Sequence, residues 1–269
     1  MLAQQCHARI ILDPERQAER KQKGSPLYAE RTVACPLHFW GFRHIIEVPP
    51  QQVEDDSDTG HEEKVSIVPK GSLQLAAGLN ETLPTCTQHW ESLCKIRNWG
   101  NPEYDRDRIL DLLRNRELDF IYFFCHAEGG EANPKIDPPY LEFQTLGGIA
   151  RAIRPQDLSD NMAWDHGPLI FLNACGTLGY SPDALSPFLK TLVDGRGAAG
   201  VLGTEVPVAE ILAGEMARFF IERFASGQKA GEALLDVRRE LLAKKNPLGL
   251  VYTLYAPATL AVSTDANGP

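Results

Sequence analysis

The sequence predicts an α/β domain built on a mostly parallel sheet with helices on both faces. Three observations predict it. The runs "IYFF" at 121–124 and "LIFLN" at 169–173 are almost continuously apolar rather than alternating, which is how strands buried on both faces read. Segments with helical spacing of apolar residues alternate with strand-like runs from residue 72 to residue 256, the order expected of βαβ units. At 269 residues, 43% hydrophobic and 23% charged, the chain can bury the core of one large α/β domain or two small ones.

The elements follow in order. Residues 1–64 are read as an N-terminal region. Within it "TVACPLHFWGFRHIIEVPP" (32–50) mixes β-formers with aromatics and is expected as strand or hairpin, and the loop at 51–63 holds six acids. The main domain is expected over 65–269. "LQLAAG" (73–78) reads as a strand. Residues 83–96 read as a helix with Pro84 in its first turn, and 96–99 as a short strand. "NPEYDRDRILDLLRNRE" (101–117) reads as a helix whose acids lie near its start and whose Arg114 and Arg116 lie near its end, matching the macrodipole. Strands are expected at 118–126, 140–143 and 168–173, then a helix at 185–193 and a strand at 198–203. Residues 207–224 form an amphipathic helix with Val208, Leu212, Met216, Phe219, Phe220 and Phe224 on one stripe. A second helix at 232–244 and a last strand at 249–256 complete the pattern.

Composition excludes several functions. The net charge is −9 and the pI about 5.3, whereas a general nucleic-acid binder carries a basic footprint. No apolar run approaches the length of a membrane span, and the charged N-terminus is unlike a secretory leader, so neither membrane nor export is expected. The six cysteines form no CxxC pair and are expected as reduced thiols in a cytoplasmic protein. Neither a Walker A loop nor GxGxxG follows a strand, so no nucleotide and no other cofactor is expected.

Two strand ends carry chemistry. "IYFFCHAEGG" delivers His126 and "LIFLNACGTLG" delivers Cys175, and ligands of open α/β sheets bind beyond the carboxyl ends of the strands. A thiol is mostly protonated at neutral pH, so a nearby imidazole is needed to take its proton and then to protonate a leaving amine. Taken singly, the cysteine fits a packing role and the histidine a surface one. Together, at two glycine-bearing strand ends about 50 positions apart, they favour nucleophilic catalysis. A zinc site would need four ligands, and none is expected.

Four segments resemble CHAT-domain peptidases, bacterial relatives of caspases and separases: "LDFIYFFCHAEGG", "GPLIFLNACGTLG", the run from "GAAGVLGTEVPV" through the paired helices, and "NPLGLVYTLYAPATL". The resemblance implies a caspase-like α/β fold, with His126 as general base, Cys175 as nucleophile, and the backbone N–H groups of Cys175 and Ala127 as the oxyanion hole. The family usually has Gly where Ala127 stands. Asn173 stands where metacaspases often carry Asp, and Val206 and Pro207 stand where separases carry Trp-Asp. The resemblance further implies a protein substrate, a regulatory or sensor partner, and regulated proteolysis such as bacterial defence. Metacaspases and separases favour a basic P1 residue. For such a residue Asp183 and Glu205 are the candidate pocket acids, among Glu128, Glu131 and themselves, with an apolar P1 as the alternative. A catalytically silent scaffold that binds partners through the same cleft is the competing reading.

Overall fold

The computed structural model describes residues 39–48, 65–128, 139–146, 149–159, 163–174 and 187–263. In chain order the elements are α1 (Trp40–Arg43), β1 (Ser66–Ile67), β2 (Leu75–Leu79), α2 (Cys86–Cys94), α3 (Arg106–Leu112), β3 (Phe120–Phe124), β4 (His126–Glu128), β5 (Tyr140–Leu146), β6 (Ile149–Ile153), α4 (Pro155–Ser159) and β7 (Leu169–Asn173). They continue with α5 (Pro187–Lys190), which runs into a π-helical turn, then β8 (Gly200–Thr204), α6 (Glu210–Ala225), α7 (Ala230–Ala243), a 3-10 turn (Pro247–Val251), β9 (Tyr252–Tyr255) and β10 (Ala261–Val262).

The central sheet has the order β2-β3-β7-β8-β9. Its first four strands are parallel and β9 closes the edge antiparallel to β8, so the expected mostly parallel sheet is present. Alternation along each strand divides the core. Phe120, Tyr122, Phe124, Leu169 and Phe171 face the side covered by α2, α6 and α7, with Leu212, Met216 and Phe220 packed there. Ile121, Phe123, Ile170 and Leu172 face the side that holds Ile109, Leu158 and Phe188 of α3, α4 and α5. Each buried aromatic ring removes about 150–250 Å² from water, so these strands supply much of the hydrophobic drive. β8 opens on a glycine for a packing reason: a Cβ on Gly200 would lie 2.2 Å from Ala256 Cβ. Among the described residues no helix is long and apolar enough to cross a membrane, and no disulfide joins Cys86, Cys94 and Cys125.

Four expectations change. Residues 96–99 form no strand: Ile96 N–H donates to the Leu93 carbonyl, and so does the Trp99 indole, folding this segment back over the end of α2. The helix expected at 101–117 is confined to Arg106–Leu112, because Asp105 caps it by accepting from the backbone N–H groups of Asp107 and Arg108. Glu103, within the expected helix, instead forms a parallel bridge with Gly78 at the edge of β2. The described part of 32–50 holds a helical turn rather than a hairpin. Its Phe42 is buried, and Arg238 and Arg239 of α7 donate to the carbonyls of Gly41 and Phe42. Finally, β4, β5 and β6 form a small antiparallel sheet, of which only 140–143 is anticipated as a separate strand.

Candidate active site

β3 and β7 lie side by side in register, with Phe124 opposite Asn173. β7 and β8 do likewise, with Leu172 opposite Gly203. The carboxyl ends of three adjacent strands therefore open at one edge of the sheet, about 4.8 Å apart. The chain leaves this edge toward His126 from β3, toward Cys175 from β7 and toward Glu205 from β8. Cys175 and Asp183 lie outside the described residues, as do Gly129, Gly130 and Glu131. Ala174, the residue before Cys175, is buried.

His126 is exposed and opens β4, opposite Glu142 of β5, while Ala127 is half-buried opposite Leu141. Asn80 ties this small sheet to the large one. Its backbone N–H donates to the Phe124 carbonyl at 2.8 Å, and its side-chain amide donates to the Glu142 carbonyl at 3.0 Å. Its Oδ1 accepts from the backbone and hydroxyl of Thr82. The residue opposite His126 is thus fixed by a buried side chain rooted at the end of β2. Cys125, although adjacent to His126, is only 4% exposed and packs in the core on the α3 side.

Asn173 is 2% exposed, and its carboxamide is fully engaged beneath the strand ends. Nδ2 donates to the Ala213 carbonyl of α6 and to the Tyr122 hydroxyl, both at 2.9 Å, while Oδ1 accepts from the Tyr252 hydroxyl at 2.9 Å. A carbonyl can only accept, so Ala213 fixes which way the amide points. The Tyr122 hydroxyl, which accepts from Asn173, also pairs with His89 Nε2 at 2.7 Å. Burial lowers the His89 pKa from about 6.5 to about 4, so the ring is neutral and can accept. Burial also raises the Tyr122 phenol well above its usual range and keeps its proton in place. Asn173 is therefore a buried amide whose donors and acceptor are all engaged by the fold.

Sequence reasoning missed this network. Its signals are one hydroxyl in an apolar strand, Tyr122, and one imidazole on the apolar face of α2 beside Cys86, Trp90 and Leu93. The network has a pH signature. An unfolded His89 takes up a proton near pH 6.5 and the folded one does so only near 4, so folding stability should be present above 6.5 and fall as pH drops toward 4. Urea unfolding of wild type and His89→Gln between those pH values checks this: the variant should show a shallower loss.

Glu205 is exposed, and its carboxylate accepts from the Thr253 hydroxyl at 2.7 Å. It lines a cavity of about 270 Å³ whose other walls include Trp40, Ile46, Arg238 and Leu250. Arg238 donates to the carbonyls of Gly41, Gly249 and Tyr252 and so holds the N-terminal turn against this cavity. The structure thus places Glu205 in a concave site at the same sheet edge as His126, with Trp40 from the N-terminal region as a wall.

Residues 96–258 match the CHAT domain family. A curated relative from Vitiosangium sp. (strain GDMCC 1.1324), bearing the name "Probable protease", is 27% identical over 271 residues. The match covers 97% of this chain and 34% of that protein, so the chain spans about a third of the relative's length. Among solved structures, the Arg-specific cysteine proteinase gingipain R superposes with a TM-score of 0.45 at 13% identity, covering 75% of this chain and 48% of that one.

Proposed function

The chain belongs to the CHAT domain family, and from that premise we propose that it is a cysteine endopeptidase in which Cys175 is the nucleophile and His126 the general base. The observation that carries this reading is the in-register parallel pairing of β3 with β7, which puts side by side the ends of the two strands that precede His126 and Cys175 in the sequence. The protease name of the Vitiosangium relative supports it.

In the proposed reaction His126 takes the Cys175 proton, and the thiolate sulfur bonds to the scissile carbonyl carbon. The carbonyl π pair moves onto oxygen, where the N–H groups of Cys175 and Ala127 receive it. The C–N bond then breaks as His126 returns its proton to the leaving amine, which leaves a thioester. Water, deprotonated by His126, hydrolyses the thioester and regenerates the thiol. No metal or cofactor enters these steps.

A peptidyl acyloxymethyl ketone tests the reading. Mass spectrometry should find the adduct on Cys175. An adduct that persists on other thiols in Cys175→Ala, or none on wild type across a peptide panel, would support a silent scaffold instead.

The preferred substrate is a protein cleaved after a basic residue, in regulated proteolysis such as bacterial defence and under the control of a regulatory or sensor partner. Glu205 supports the basic P1 because its exposed carboxylate lines a cavity beside Trp40, where the other charged wall residue, Arg238, directs its guanidinium to the carbonyls of Gly41, Gly249 and Tyr252. Asp183 is the second proposed pocket acid. Glu205→Gln should lower kcat/KM for Arg and Lys peptides about tenfold while sparing apolar P1 peptides. A positional-scanning library measures this, and equal loss across all P1 residues would remove Glu205 from specificity.

A further inference from the structure

The Thr204 hydroxyl donates to the Ala174 carbonyl at 2.6 Å, and both residues are buried, at 0% and 2% exposure. This is a link across neighbouring strand ends, from the last residue of β8 to the residue that follows β7. The carbonyl carbon of Ala174 is bonded to the nitrogen of Cys175. Resonance makes that peptide one planar unit, so whatever holds the carbonyl also holds the N–H on its other side. Donation to the oxygen also draws electron density from the amide and strengthens its N–H as a donor.

We propose that Thr204 is a positioning residue of the oxyanion hole: by gripping the Ala174 carbonyl it orients and polarises the Cys175 N–H. The inference rests on the assignment of Cys175 as nucleophile. Asn173 steadies the same strand end one residue earlier through the bonds of its side chain to Tyr122, Tyr252 and Ala213. Of these groups only Thr204 touches the amide itself.

The Thr204 hydroxyl acts on the oxyanion and not on the thiol, and the two effects are measured separately. Thr204→Val keeps the shape and removes the hydroxyl, and Thr204→Ser keeps the hydroxyl. Three readouts apply: steady-state kinetics on the best peptide from the positional library, inhibition by the aldehyde of the same peptide, and alkylation of Cys175 by iodoacetamide. The aldehyde forms a tetrahedral adduct whose oxygen needs the hole. Iodoacetamide reacts by displacement at carbon and does not.

Thr204→Val should lower kcat about 10- to 100-fold with KM changed less than about threefold, below the full loss of an oxyanion donor because the N–H is displaced rather than deleted. Aldehyde inhibition should weaken by a similar factor while the alkylation rate holds, and Thr204→Ser should recover most of kcat. Three results would overturn the proposal: wild-type kcat in Thr204→Val, alkylation slowed in step with cleavage, or no recovery in Thr204→Ser. If wild type cleaves and Cys175→Ala does not, the nucleophile assignment stands whatever the Thr204 variants do. If Cys175→Ala still cleaves, that assignment falls and takes this inference with it.

Discussion

Cys175→Ala should abolish peptide cleavage, by a factor on the order of 10⁴ or more, with the unfolding midpoint left in place. Alanine retains the backbone N–H, so substrate binding and the oxyanion contact survive while the atom that bonds to the carbonyl carbon is gone. The residual rate is then that of water in a preorganised site. Cys125→Ala is the informative control. Cys125 is 4% exposed and packs with Ile109, Ile170 and Leu172, so its truncation should cost stability on the order of 1 kcal/mol and leave most of the activity. Fluorogenic peptide cleavage, read beside thermal unfolding, checks both variants. Equal inactivation of the two at a temperature where both are folded would show that Cys175 is not the nucleophile.

His126→Ala should lower kcat about 10³- to 10⁴-fold, nearly as much, since nucleophile and base act as a unit. The loss has two parts that pH and leaving group separate. Without a base the thiol ionises only near its intrinsic value of about 8.5, so residual activity should climb as pH rises from 7 toward 9. The leaving amine also loses its proton donor, so an amide substrate should suffer more than an ester of the same peptide, whose leaving group departs with less help. His126 is exposed at the head of β4 and makes little of the core, so the variant should fold normally. A pH-independent loss equal for amide and ester would argue that His126 is not the general base.

Much of this was legible in the sequence because burial on both faces leaves a plain record. "IYFF" and "LIFLN" have few ways to hide their apolar side chains other than as central strands, and they occupy adjacent central positions of the sheet. The stripe from Leu212 to Phe224 is likewise buried along α6. Local chemistry that competes with periodicity was harder to read. Asp105 can cap a helix, and it starts α3 well after Pro102, where composition alone suggested a beginning. Trp99 bonds back to α2 through a side chain and leaves no trace in the apolar pattern. The candidate acid Glu205 could be named, but its neighbours Trp40 and Ile46 come from a segment far away in sequence.

By itself the sequence determined the α/β class, the central strands, the paired C-terminal helices and the two candidate reactive residues, because each depends on composition and spacing within a few residues. The tertiary structure decided what depends on partners distant along the chain. It showed Asn173 as a buried amide joining α6, β3 and β9. It joined Asn80 to Glu142, and it set the Thr204 hydroxyl on the Ala174 carbonyl. Hydrogen bonds of this kind are made only once strands and helices have packed, since a buried amide or hydroxyl takes whichever partner the fold brings within 3 Å, and no local pattern of residues specifies that partner in advance.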